Sequence, residues 1–142
     1  MLRLIIDSNV VASAFRSRSG ASFALLELVR REWVRMLATP SLFLEYEDVL
    51  KRPAQLAVSR LPLADVDIAL DALAALIEPV EAHLSWRPQL PGPDDEMVLE
   101  AAINGRADAL VTCNAAHFRI AVARFRVRLA RPADIIREVI EA

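Results

Sequence analysis

The chain of 142 residues is poor in cysteine and in long apolar runs, and each shortage excludes a class of protein. Cys113 is the only cysteine, so no internal disulfide can form, which suits a reducing cytoplasm. The most apolar stretch, residues 61–80, is interrupted by aspartates, whereas a membrane-spanning helix needs about 20 residues with few or no charges. The apolar start, residues 1–6, is shorter than the roughly 7–15 residues of a secretory signal core. We therefore expect a cytoplasmic protein without a membrane segment.

Glycine and net positive charge are also scarce. The 3 glycines form no Gly-x-Gly-x-x-Gly run, which excludes the usual dinucleotide-binding module. A formal net charge of -2 argues against a protein that coats nucleic acid through a bulk positive field. The chain is 55% hydrophobic and of ordinary domain length, so it can bury a core without a metal or a disulfide. We expect one domain over residues 1–142.

The spacing of apolar residues predicts strands that alternate with helices. Strands are predicted at residues 2–6, 36–39, 78–81 and 109–112, with a half-exposed edge strand at 125–129. Helices are predicted at residues 10–15, from 21 onward, at 42–50 with Ser41 as N-cap, at 64–77, at 94–104 and from 132 onward, with a loop at 83–93. This order is typical of an α/β sandwich with a mostly parallel sheet, which places its sites at the carboxyl ends of strands.

Polar residues follow several of the predicted strands. Asp7 ends the first strand, and Asn114 lies just beyond the strand at 109–112. Asp94 and Asp95 begin the helix before the strand at 109–112, and a fourth candidate, Glu45 or Glu47, lies on the helix after the second strand. Carboxylates gathered from separate segments repel one another unless a cation lies between them. Oxygen ligands without cysteine or histidine favour Mg²⁺ or Mn²⁺ over zinc.

Each of these positions also has an ordinary structural interpretation. Asp7 could cap the helix that follows it, and Asp94 and Asp95 could complement a helix dipole. Asn114 could be a turn residue. Apolar periodicity does not choose between Glu45 and Glu47, which flank the same stripe. Only the joint placement of these residues favours a metal site.

Four stretches of the chain, in order, resemble the PIN-domain family of metal-dependent ribonucleases, particularly the VapC-type toxins of toxin–antitoxin pairs. Residues 4–10 are similar to the family's apolar strand ending in Asp-Thr/Ser-Asn. Residues 40–53 are similar to its motif in which a serine precedes Glu-Tyr-x-x-Val-Leu-x-Arg-Pro, which favours Glu45 over Glu47. Residues 94–102 and 107–114 look like its third and fourth acidic motifs, with Asp95 fitting the third position better than Asp94.

The resemblance implies a PIN-like three-layer α/β/α sandwich and a Mg²⁺- or Mn²⁺-dependent endoribonuclease. Asp7, Glu45 and Asp95 would hold the ion, and Asn114 would complete or orient its ligands, with Asp94 as the alternative third acid. Asn114 stands where many members have aspartate. One firmly bound ion and a weaker second site are therefore expected.

Further residues and partners follow from the same resemblance. RNA is the expected substrate, a small antitoxin protein the expected partner, and a homodimer the expected assembly.

Candidate phosphate contacts are Arg16, Arg18 and Arg119, because a guanidinium pairs well with phosphate. Ser8, Asn9 and Thr112 are candidates for positioning the acids, and His117 is expected to be a local packing or turn residue.

Two alternatives come from other classes of protein. A phosphoacceptor receiver domain also ends a strand with an aspartate, but it needs an acidic pair and a lysine near the phosphate. Here Asp7 precedes Ser8 and Asn9, and the sole lysine, Lys51, lies in the helix of Glu45. The stronger alternative is a non-catalytic PIN-like domain that binds RNA or a protein without cleaving.

Overall fold

The computed structural model describes residues 1–82, 93–119, 125 and 127–142, with the side chains of all of these except Pro93 and Asp94. Within them the strands are β1 (Arg3–Ile6), β2 (Arg35–Ala38), β3 (Glu78–Pro79), β4 (Ala109–Val111) and β5 (Leu129–Ala130). The helices are α1 (Ser8–Arg16), α2 (Ala21–Arg30), α3 (Pro40–Leu50), α4 (Pro53–Ser59), α5 (Leu63–Leu76), α6 (Pro93–Asn104) and α7 (Pro132–Glu141). A 3₁₀ turn covers Ala115–His117.

The strands form one sheet of five in the order β3-β2-β1-β4-β5, and every pairing within the described residues is parallel. In β1, Ile5 is in register with Leu37 of β2 on one side and with Leu110 of β4 on the other. The chain proceeds from β1 to β2 on one side and returns to β4 on the other. The carboxyl ends of β1 and β4 therefore flank the point at which the strand order reverses, where open sheets form their crevice.

The core is built on the central strands. Leu4, Ile5 and Ile6 of β1 and all of β4 are fully buried, so helices must cover both faces of the sheet. Helix α1 packs against α2 and α3, α2 packs against α7, and α3 packs against α6. These layers confirm the predicted α/β/α sandwich with its parallel sheet. No helix within the described residues is long and apolar enough to cross a membrane.

The start of α3 differs from the prediction. The N-cap is Thr39, not Ser41, and the Thr39 hydroxyl accepts a hydrogen bond of 3.2 Å from the backbone N–H of Leu42. Pro40 then occupies the first turn, where its fixed φ suits a helix and its missing N–H costs nothing. A second helix that the sequence analysis did not predict follows soon after residue 50, because Pro53 begins α4.

The last strand is also displaced from its prediction. The alternating pattern at residues 125–129 predicts an edge strand, but the paired segment is Leu129–Ala130. Pairing with β4 sets this position, since Leu110 is in register with Leu129 and Val111 with Ala130. Residue 126 lies outside the described residues, as do residues 83–92 of the predicted loop.

Candidate active site

A pocket of about 380 Å³ lies at the carboxyl ends of β1 and β4. Its walls include Asp7, Glu45, Asp95 and Asn114, which come from four separate segments of the chain. Asp7 follows β1, Glu45 lies on α3, Asp95 lies in the first turn of α6, and Asn114 follows β4. The structure thus brings together the four residues that the sequence places at the site, within the crevice that the strand order creates.

Asp7 is buried at the floor of this pocket, with 5% of its surface exposed. It is the N-cap residue of α1, yet within the described start of that helix its carboxylate makes no capping hydrogen bond. The carboxylate instead accepts a hydrogen bond of 2.8 Å from the Thr112 hydroxyl. The backbone N–H groups of Ser8 and Asn9 also lower the pKa of this carboxyl, so the Asp7 side chain interacts with the start of α1 and, through Thr112, with the end of β4.

Thr112 connects the ends of β1 and β4. Its fully buried hydroxyl donates to Asp7 and accepts from the Asn9 side-chain amide at 3.3 Å and from the Asn114 backbone N–H at 3.0 Å. The Asn9 amide oxygen in turn accepts from the backbone N–H of Cys113 at 3.2 Å. A hydroxyl has one proton and two lone pairs, so Thr112 uses its full hydrogen-bonding capacity and fixes the Asp7 carboxylate.

The Asp7 carboxyl has a pKa raised above its ordinary value, chiefly because burial penalises its charged form. The Thr112 hydrogen bond lowers the pKa in part, and the negative charge of Asp95 raises it further. The Asp95 charge therefore acts across the pocket on Asp7. A cation bound between the two carboxylates would stabilise this arrangement.

Helix α3 places its two candidate acids differently. The Glu45 side chain lines the pocket and is 11% exposed, with an Arg52 nitrogen 3.7 Å from one of its carboxylate oxygens. Glu47 is 46% exposed, lies 3.6 Å from the Lys51 ammonium and lines a separate hollow. The geometry therefore places Glu45 in the pocket wall and Glu47 outside it.

At the start of α6, Asp95 lines the pocket with 22% of its side chain exposed. A carboxylate oxygen of Asp95 lies 3.2 Å from Nδ1 of His117, whose ring is also 3.1 Å from the Asn114 side-chain nitrogen. His117 thus belongs to the pocket wall and is half exposed, in addition to lying in the turn after β4. The side chain of Asp94, the alternative third acid, lies outside the described part of the structure.

Tyr46 supports the floor of the pocket from below. Its fully buried phenol donates a hydrogen bond to the carbonyl of Ile6, the residue before Asp7. Burial, aided by the charge of Asp7, raises the pKa of the Tyr46 hydroxyl well above its ordinary value, so this donor stays protonated at neutral pH. Adjacent positions on α3 therefore serve the same site, Glu45 in its wall and Tyr46 beneath its floor.

The basic residues of the pocket correspond only in part to those proposed from the sequence. Arg16 lines the pocket, whereas Arg18 lines a different, more apolar hollow. Arg119 is exposed and is not among the described residues of the pocket wall. Arg52 also lines the pocket and was missed from the sequence, although it is the arginine of the Glu-Tyr-x-x-Val-Leu-x-Arg-Pro motif.

The oxygen atoms of the pocket suit a hard divalent cation, since three carboxylates and the side-chain amides of Asn9 and Asn114 line it. Within the described residues, however, no three acidic, histidine or cysteine side chains are close enough together to hold an ion. Glu45 and Asp95 each have a basic neighbour, Arg52 and His117 respectively. The residues fit such an ion because their oxygen atoms are suitable ligands and they line the same pocket. To bind it, Glu45 would have to move away from Arg52, and Asp95 from His117.

The fold and the pocket together define an α/β/α protein with an acidic site at the reversal point of its parallel sheet. A model of the PIN domain matches residues 3–116, most of the chain, and the protein belongs to the PIN domain family. PIN domains are generally nucleases and generally use divalent metal ions, so a hydrolytic function on nucleic acid follows from the family. No curated protein matches the chain.

Proposed function

We propose that this protein is an endoribonuclease that hydrolyses RNA phosphodiester bonds with the help of Mg²⁺ or Mn²⁺. The observation that carries the proposal is the convergence of Asp7, Glu45, Asp95 and Asn114 in one pocket of a PIN domain. Asp7, Glu45 and Asp95 would hold the ion, and Asn114 would complete or orient its ligands. Asp94 stays the alternative third acid. When bound, such an ion supplies water activation and neutralisation of charge on the phosphoryl group.

Neighbouring residues of the protein hold the acidic side chains of this site in position without a ligand. Thr112 holds one oxygen of the Asp7 carboxylate, and Tyr46 holds the backbone immediately before it. His117 lies beside Asp95 and restricts the orientation of that carboxylate. Groups that orient metal-binding side chains in this way typically change activity or metal affinity by about 10–100-fold when removed. The substrate phosphate would approach through the open side of the pocket, past Arg16 and Arg52.

We further propose that the protein is the toxin of a toxin–antitoxin pair, acts in the cytoplasm, forms a homodimer and is inhibited by a small antitoxin protein. The support is the series of VapC-type motifs at residues 4–10, 40–53, 94–102 and 107–114. Expression in bacteria tests this role: growth should stop with the native chain and continue with the Asp95→Asn chain. A short reading frame beside the gene should restore growth when co-expressed.

The nuclease itself is tested by incubating purified protein with end-labelled RNA in Mg²⁺, in Mn²⁺ and in EDTA. Cleavage is expected with either metal and not with EDTA. Asp7→Asn, Glu45→Gln and Asp95→Asn should each abolish it while the protein stays folded by circular dichroism. Asp71→Asn is the matched control, because Asp71 is exposed on α5 and outside the described pocket wall. Metal-independent cleavage, or full activity in the three variants, would overturn the proposal. Tight RNA binding without cleavage would favour the non-catalytic alternative.

A further inference from the structure

Gln55 is a polar side chain buried where α4 meets α1, with 8% of its surface exposed. Its amide nitrogen donates a hydrogen bond of 2.9 Å to the backbone carbonyl of Ala12 in α1. Its amide oxygen accepts a hydrogen bond of 3.2 Å from Nη1 of Arg16, one turn further along α1. The bond to Ala12 fixes which way the amide faces, because only its oxygen is then left to receive the guanidinium.

Arg16 differs from the other basic groups of the pocket in the charge of its partner. Arg52 lies 2.6 Å from the Asp48 carboxylate and 3.7 Å from Glu45, and His117 lies 3.2 Å from Asp95. Within the described residues, no carboxylate lies within ion-pair distance of Arg16, and Gln55 is its hydrogen-bond partner. The positive charge of Arg16 is therefore held in place without being neutralised.

This arrangement suits an anion that enters the pocket. A guanidinium has five N–H donors, and Gln55 engages one nitrogen, so the outer edge of Arg16 can pair with two oxygens of one phosphate. The neutral amide avoids the competition that a glutamate at position 55 would introduce. A side chain that is already ordered also loses less conformational entropy on binding.

We propose that Gln55 is a positioning residue that holds Arg16 in the pocket wall as the cation for a backbone phosphate of the RNA next to the scissile bond. This inference rests on the proposed function for the identity of the ligand. Gln55 acts through Arg16 and does not touch the RNA. The phosphate contact is a binding contact, separate from the acidic residues that act on the scissile bond.

Equilibrium binding of a fluorescent RNA oligomer to the full chain in EDTA, at several salt concentrations, tests the contact without cleavage. Arg16→Ala should weaken binding about tenfold and reduce the slope of log K against log salt by about one. Gln55→Met should cause a smaller loss, and no further loss when Arg16 is already alanine, because the two effects share one contact. Gln55→Glu should weaken binding as much as Arg16→Ala, because its carboxylate neutralises the guanidinium and no longer donates to the Ala12 carbonyl.

Arg31→Ala is the matched control, because it removes an exposed arginine after α2, outside the described pocket wall, and should leave binding unchanged. Gln55 would be only structural if Gln55→Met weakened RNA binding equally in the native and the Arg16→Ala backgrounds. Native RNA binding by Gln55→Glu would show the same. With Mn²⁺ present, Arg16→Ala should raise KM and leave kcat within about twofold.

Two results separate this inference from the proposed function. If the native protein binds RNA in the Arg16-dependent way but never cleaves it, the nuclease proposal fails and the phosphate contact stands. If the native protein cleaves RNA while Arg16→Ala leaves both Kd and KM unchanged, the phosphate contact fails alone. A native chain that neither binds nor cleaves RNA overturns both.

Discussion

The Thr112 hydroxyl donates a hydrogen bond of 2.8 Å to the Asp7 carboxylate across the ends of two adjacent parallel strands. These residues are 105 positions apart in the sequence. The same hydroxyl accepts from Asn9 and from the backbone of Asn114, so one buried atom joins three polar groups at the two strand ends. Removing it takes a hydrogen bond from the buried Asp7 carboxylate and from the partly buried Asn9 amide.

We predict that Thr112→Val lowers the free energy of unfolding by about 1–3 kcal/mol, the cost of leaving a buried polar group unpaired. RNA cleavage should fall by about 10–100-fold, because the Asp7 carboxylate loses the group that orients it. Thr112→Ser is the matched control, since it removes a methyl group and keeps the hydroxyl. Denaturant unfolding and initial cleavage rates measure the two effects. Native cleavage by the valine variant would refute this role of the hydroxyl.

The buried Asp7 carboxyl makes metal-free stability depend on pH. Its folded-state pKa is raised above the ordinary 3.8, so the folded protein binds this proton more tightly than the unfolded chain does. The stability that the protonated form contributes is present below the unfolded pKa and is lost as pH rises through the folded pKa. At neutral pH, ionised Asp7 therefore destabilises the metal-free fold.

It follows that Asp7→Asn should raise the thermal unfolding midpoint in EDTA at pH 7, although it abolishes cleavage. The asparagine can still accept the Thr112 hydrogen bond, and it carries no buried charge. The difference in midpoint should shrink as the pH is lowered through the folded pKa of Asp7. Asp71→Asn, at an exposed position, should show no such pH-dependent difference. A lower midpoint for Asp7→Asn at pH 7 would mean that ionised Asp7 does not destabilise the metal-free fold.

Asn114 should limit how many metal ions bind. An amide oxygen can ligate an ion but brings no charge, so calorimetric titration with Mn²⁺ should show one dominant site. Asp95→Asn should remove that site, and Asn114→Asp should strengthen a second one by adding a carboxylate to the same wall. Two equally tight sites in the native protein would be inconsistent with this role for Asn114.

Tyr46→Phe tests the support beneath Asp7. Phenylalanine keeps the edge-to-face contact with Phe43, whose ring centroid lies 6.3 Å away, and removes only the hydroxyl that donates to the Ile6 carbonyl. We predict a loss of about 1–2 kcal/mol in the free energy of unfolding, with an unchanged denaturant m-value. Unchanged stability would mean that the Ile6 carbonyl does not depend on this donor.

Much of the fold could be predicted from the sequence, because buried elements have a recognisable local pattern of apolar residues. Buried strands such as residues 3–6 and 109–111 read as short apolar runs, and helices such as α5 show apolar residues at helical spacing. Boundaries were less predictable where a proline acts, since Pro40 and Pro53 each begin a helix that the apolar pattern does not mark. The position of β5 also escaped prediction, because it depends on register with β4 and not on its own alternation.

Some residues of the candidate site could likewise be predicted from the sequence, and others could not. Asp7 and Asn114 could be chosen from the sequence, since each follows an apolar strand, and motif resemblance favours Glu45 and Asp95. The motif that contains Glu45 also contains Arg52, which could have indicated its place in the pocket. The contact between Gln55 and Arg16 could not be predicted, because nothing near Gln55 in the sequence indicates that α4 packs on α1.

By itself, then, the sequence determined the parallel α/β architecture and the types of residue available at the strand ends. The tertiary structure decided what motif resemblance had favoured, that Glu45 faces the pocket while Glu47 does not, and it alone revealed that Gln55 supports Arg16. The physical reason is that periodicity records whether a residue is buried, a local property of its element. Which side chains meet depends instead on strand order and on the packing of helices that are distant in the chain.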